Sequence, residues 1–161
     1  SRLMKKYNVR KCVIDGMPET HATRQFALRH KGKVFLNFFN DNQRGSIKWD
    51  DHDHKVDINR TEALDASRAA IRDKLLMLPR RVPIIEQLAR HQTGIAKKLA
   101  EDDQTGAQAY HYVKTGENHF ALALTYAGMA TADATGFRAW MRYFRRMAIK
   151  DGRPWPPQRS R

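Results

Sequence analysis

The sequence predicts an α/β chain built on a mixed sheet, and three stretches carry that expectation. Two apolar, strand-like runs, VRKCVID and KVFLNFFN, flank PETHATRQFALRHKG, a segment with helical start and stop signals. Directly after them, SIKWDD and HKVDIN alternate apolar and charged residues with period two, as a hairpin with one solvated face does. Strand, helix, strand in that order implies a right-handed parallel crossover, to which the hairpin adds an antiparallel pair.

Taken in order, Leu3, Met4 and Tyr7 have helical spacing and predict the end of a helix, followed by a strand from about Val9 to Ile14. Pro18 suits a first helical turn, Glu19 lies near the positive helix end, and Gly32 is placed to stop the helix. Lys33 to Asn40 is almost continuously apolar, the pattern of a strand covered on both faces. In the hairpin, Ile47, Trp49, Val56 and Ile58 share one face and Lys48, Asp50, Lys55 and Asp57 the other. Thr61 is expected to cap the helix TEALDASRAAIRDKLLML, with Leu64, Ala69, Ile71, Leu75 and Leu78 as its apolar stripe and Pro79 as its end.

A further helix is expected from Pro83 to about His91; AKKLAEDDQTGAQ is polar with no assigned form, and YHYVKT reads as a strand. Gly116 precedes a helix in which Phe120, Leu124 and Ala127 share a face. Gly136 separates it from FRAWMRYFRRMAIK, a basic, aromatic, amphipathic helix over residues 137–150. Residues 151–161, DGRPWPPQRSR, have no apolar period and three of the six prolines, so a flexible basic tail is expected. The domain division is therefore 1–136, 137–150 and 151–161, with no internal repeat.

The net charge of +13 points to a polyanionic partner, because lysine and arginine neutralise phosphates and release counterions. Residues 137–161 hold +7 of it: Arg138, Arg142, Arg145, Arg146, Lys150, Arg153, Arg159 and Arg161 against Asp151. No apolar run reaches transmembrane length, and the opening residues lack the apolar centre of a signal peptide. The single cysteine, Cys12, lies in a strand pattern and reads as a small buried thiol, in keeping with a reducing cytoplasm. No GxxxxGK[ST] loop is present, which excludes ATP hydrolysis by that route.

Four groups could carry chemistry. Asp15, in VIDGMPET, ends a strand where an α/β sheet gathers functional groups, yet acids also sit in such turns to satisfy backbone amides. Glu117, Asn118 and His119 open a helix in which Ala121, Ala123 and Ala127 allow close packing; Asn118 also suits simple capping. Asp50, Asp51, His52, Asp53 and His54 are metal-ligand types, but consecutive residues at a hairpin tip point in alternating directions, which favours a solvated turn over a transition-metal hydrolase. Trp140, Arg142, Tyr143, Arg145 and Arg146 interleave cations with rings, suited to phosphates and bases on one face and to burial of Phe137, Trp140 and Phe144 on another.

In order, KCVIDGMPET, GKVFLNFFN, a hairpin, VDINRTEALDASRAAI, LPR and NHFALALTYAGMA resemble the nuclease domain of the large terminase subunit of tailed bacteriophages, from about Lys5 to Ala130. The resemblance implies a ribonuclease H-like mixed sheet flanked by helices, incomplete at its N-terminus. It also implies three acids that hold two Mg²⁺ or Mn²⁺ ions about 3.5–4 Å apart to cut duplex DNA. Asp15 matches the second acid. The third directly precedes the histidine of HFALALTYA, where this chain has Asn118, with Glu117 as a neighbouring substitute. The first belongs to a strand upstream of LMKKYN. The implied setting is the host cytoplasm during virion assembly, with an ATPase domain, the portal protein and the small terminase subunit as partners. Weak or absent cleavage by this polypeptide alone is the corresponding expectation. The alternative is a non-catalytic basic module that binds DNA or a partner through Arg138, Arg142, Arg145, Arg146 and Lys150.

Overall fold

The computed structural model describes residues 2–43, 45–76, 78, 82–101, 106 and 108–135. Its elements are α1 (Arg2–Lys6), β1 (Cys12–Asp15), α2 (Thr20–Arg29), β2 (Val34–Phe39), β3 (Lys48–Asp50), β4 (Lys55–Ile58), α3 (Arg60–Arg72), α4 (Pro83–Thr93), β5 (Ile95–Glu101), β6 (Gln108–Lys114) and α5 (His119–Thr135). The expected helix over 137–150 and tail over 151–161 lie outside the described residues.

The chain is mixed α/β. Its four-stranded sheet has the order β1-β2-β4-β3, with β1 parallel to β2, β2 parallel to β4, and β3 antiparallel to β4. The period-two alternation of β2 decides what lies on either side of it. Val34 and Leu36 pack with Met4 of α1 and Ala27 of α2, whereas Phe35 packs with Val13, Val56, Ile58, Ala63 of α3 and Tyr126 and Met129 of α5. Both faces of β2 are thus covered, as its near-continuous apolar run predicts. Trp49 of β3 meets Phe35 edge to face at 4.9 Å, closing the hairpin side of this core.

Several boundaries differ from the sequence reading. β1 starts at Cys12 rather than Val9, and Asp15 is its last residue rather than the first of a turn. Pro18 precedes α2, and Gly32 follows it at φ 71°, a conformation glycine reaches without a steric cost. The cap of α3 is Asn59, not Thr61: the Asn59 side chain accepts the Glu62 amide at 3.1 Å, while the Thr61 hydroxyl donates to the Tyr110 carbonyl at 3.3 Å. α3 ends at Arg72, so Leu75 and Leu78 lie beyond the helix, and its buried side is Ala63, Leu64 and Ala70.

Of the segment left without a form, residues 96–101 belong to β5 and Gln108 opens β6, and the two strands pair in a separate antiparallel ribbon from Ile95↔Lys114 to Glu101↔Gln108. Most of its side chains are in water, so the apolar alternation that marks a strand is missing. The ribbon is tied to α3 by polar contacts: Tyr112 Oη donates to Asp65 at 2.7 Å, Lys97 Nζ pairs with the same carboxylate at 2.6 Å, and Arg68 donates to the Gln92 and Ile95 carbonyls. α5 buries Ala121, Thr125, Tyr126, Met129 and Ala130; of the expected face, Phe120 and Leu124 are half-buried and Ala127 is exposed. Among the described residues, no helix is long and apolar enough to cross a membrane.

Candidate functional site

The parallel strands β1, β2 and β4 all end at one edge of the sheet, the edge where α/β folds gather functional groups. Asp15 ends β1, paired with Asn37 of β2. Both belong to the face covered by α5, since each lies two residues from a member of that core, Val13 and Phe35 respectively. The Asp15 carboxylate accepts the Met17 amide on Oδ1 at 3.1 Å and the Tyr126 hydroxyl on Oδ2 at 3.0 Å. Burial first, and then the Asp15 charge and hydrogen bond, push the Tyr126 phenol far above its ordinary pKa; Asn37 and Arg60 oppose this less strongly. Tyr126 therefore stays a donor, and it orients Asp15.

Asn37 is 1% exposed, and among the described residues neither polar atom of its amide has a partner in hydrogen-bond geometry. Arg60, the first residue of α3, donates to the Tyr112 carbonyl at 3.1 Å and links this edge to the ribbon. Between them opens a cleft of about 580 Å³ lined by Asp41, Asn59, Arg60, Glu62, Tyr110 and His111 among others. Asp15, Asn37, Tyr126 and Arg60 thus form one polar locus at the carboxyl edge of the sheet. Sequence reasoning found only Asp15. Asn37 carried a signal, as the single polar residue of VFLNFF. Tyr126 and Arg60 carried none, because their relevance arises from helices crossing the sheet.

The second residue that the sequence singled out is Asn118. It precedes α5 and is 4% exposed, and its carbonyl accepts the Leu122 amide at 3.1 Å. Tyr126 follows it by eight residues, about 12 Å of axial rise in an α-helix. Glu117 is turned towards His91 of α4, with Oε2 3.4 Å from Nε2. His91, 5% exposed and unflagged by the sequence, accepts the Phe120 amide on Nδ1 at 3.2 Å and stacks on the Phe120 ring at 4.8 Å.

At the hairpin tip, the His52 side chain is 96% exposed and bonds Asp53 at 3.0 Å, and Lys55 bonds the other Asp53 oxygen at 2.7 Å. Hydrogen bonds from Lys55 and then His52 hold the Asp53 carboxyl below its usual range. These contacts are those of a solvated turn. Arg138, Arg142, Arg145, Arg146 and Lys150 fall outside the described residues.

Among the described residues, no three His, Cys, Asp or Glu side chains converge as ligands, and both oxygens of Asp15 already accept protein donors. The locus offers one oriented carboxylate, a phenol, an amide and a guanidinium, a set suited to holding a polar or anionic group. No family model, curated protein or solved structure matches the chain.

Proposed function

We propose that the chain is the C-terminal portion of a terminase-type, ribonuclease H-like nuclease domain, serving phage DNA packaging in the host cytoplasm and binding duplex DNA through its basic residues. The observation that carries the reading is the position of Asp15. The acid in KCVIDGMPET ends an inner-face strand position at the carboxyl edge of the sheet, held by Tyr126 from the HFALALTYA helix. Two motifs that stand 111 residues apart in sequence meet at one side-chain contact. The charge of +13 supports a phosphate-rich partner. The Mg²⁺ or Mn²⁺ ions that the resemblance implies need more ligands than the described residues bring together, so cleavage is assigned to the complete enzyme and not to this polypeptide alone.

The test has two arms. This chain binds duplex DNA with an affinity that falls steeply with salt, and removing residues 137–161, which takes away +7, reduces that slope. Salt-independent binding, or none, overturns the DNA reading. In the second arm, the chain extended by its upstream coding sequence and carrying Asn118→Asp is assayed for Mn²⁺-dependent plasmid cutting. Cutting lost in Asp15→Ala supports the nuclease assignment; no cutting, or cutting indifferent to Asp15→Ala, removes it. The second reading, a basic module without catalysis, is favoured by the absence of three converging carboxylate or histidine ligands among the described residues and survives that outcome if DNA binding persists.

A further inference from the structure

A cavity of about 340 Å³ lies apart from the Asp15 locus, where the C-terminal turn of α4 meets the segment leading into α5. Gln87, Arg90, His91, Gly94, Gly116 and Glu117 are among its lining residues. Gly94 makes this apposition possible: a Cβ there would overlap the Glu117 carbonyl oxygen, so no larger residue lets the two segments approach. The Thr115 and Gly116 amides both donate to the Gly94 carbonyl, at 3.0 and 3.1 Å, and fix the junction.

Three observations give the cavity a sign. His91 uses Nδ1 to accept the Phe120 amide, so on the neutral ring the proton resides on Nε2, a donor. That Nε2 is buried and has no hydrogen-bond partner among the described residues, and His91 is 5% exposed. The positive end of α5, a helix of 17 residues, adjoins the cavity through Gly116 and Glu117, and Arg90 lines it beside the carbonyl end of α4, as the one arginine among the described residues of its wall. A Glu117 oxygen lies 3.4 Å from Nε2, outside hydrogen-bond geometry, on a side chain that is 80% exposed. The His91 donor is thus approached by a loosely held carboxylate that can swing into water.

We propose that this cavity is a phosphate-oxyanion site, with His91 Nε2–H and Arg90 as its side-chain donors and Glu117 as the carboxylate that a ligand displaces. The inference does not depend on the nuclease reading. A tetrahedral phosphate accepts from several directions at once, which matches a buried imidazole donor, a guanidinium and a helix N-terminus better than it matches a neutral ligand. The phosphate belongs either to a nucleic-acid backbone or to a free phosphate or phosphomonoester.

The full chain is titrated with inorganic phosphate, and separately with a short DNA duplex lacking terminal phosphates, while amide and imidazole NMR signals are followed. Inorganic phosphate produces a saturable shift of the Phe120 amide and the His91 ring. Arg90→Ala, an exposed position, weakens it about threefold to tenfold, the worth of one charge-assisted contact. Glu117→Gln strengthens it, because the displaced group no longer repels the ligand. Preserved signal dispersion establishes that both variants are folded. The same shifts with duplex place a backbone phosphate in the cavity; shifts with inorganic phosphate alone assign it to a free phosphate group. Shifts that never saturate, that spare Phe120 and His91, or that are unchanged in both variants overturn the proposal.

Discussion

Asn59 joins the sheet to α3 through one amide, and replacing it separates the observed cap from the one its neighbour Thr61 suggests. Its Oδ1 accepts the Glu62 amide at 3.1 Å, its Nδ2 donates to the Asp41 carbonyl at 2.9 Å, and the residue is 4% exposed. Asn59→Ala removes a cap worth about 1 kcal/mol. It also removes the donor to Asp41; Asp41 is exposed, so water restores part of that bond and the added cost is about 0.5–1.5 kcal/mol. The expected loss is about 1.5–2.5 kcal/mol, roughly 3–10 °C in Tm for a chain of this size. Thr61→Ala removes only an exposed hydroxyl contact and is expected to cost at most about 0.5 kcal/mol. Asn59→Asp keeps the acceptor, places a favourable charge at the helix start and loses the donor, so it falls between the two. Urea denaturation followed by circular dichroism measures all three. An Asn59→Ala variant within about 0.5 kcal/mol of the parent, or Thr61→Ala costing as much as Asn59→Ala, refutes the assignment.

Tyr126→Phe keeps the ring stacked on Phe39 and loses the bond to Asp15, which Met17 and water still satisfy; a cost of about 0.5–1.5 kcal/mol is expected in denaturant melts, against about 3–5 for Tyr126→Ala. Equal losses in the two variants would show that the hydroxyl, not the ring, dominates. Gly94→Ala sets a methyl against backbone that cannot yield, and is expected to cost about 1–3 kcal/mol and to move the Thr115 and Gly116 amide resonances; unchanged resonances would contradict the close approach. Tyr112, pushed up to about 12 by burial and then by its bond to Asp65, keeps its proton in the folded state after the unfolded chain has lost it near 10. More protons bound when folded means stability falls with rising pH, so this contribution is intact below pH 10 and drains between 10 and about 12. Alkaline denaturation should flatten over that range in Tyr112→Phe, and an unaltered pH slope would refute the coupling.

Local pattern was enough for the main sheet. The apolar run of β2, the alternation of β3 and β4, and the helical signals of α2 and α4 express period and polarity that each segment carries in its own residues. The ribbon β5–β6 was half legible, because its stabilising contacts, Tyr112 and Lys97 on Asp65, are polar and come from α3 rather than from an apolar face of its own. Asp15 was nameable from a strand ending in an acid, whereas its partners were not: Tyr126 reaches it from 111 residues away, and Asn37 only through strand register. The same holds for His91, an ordinary helix residue until Gly94 lets α4 close on the start of α5. Sequence alone determined the strands of the main sheet and the helices beside it, since these express short-range periodicity, and left β5 without a form. Tertiary structure alone decided which polar groups meet, since a hydrogen bond depends on distances that only the packing of non-neighbouring elements sets.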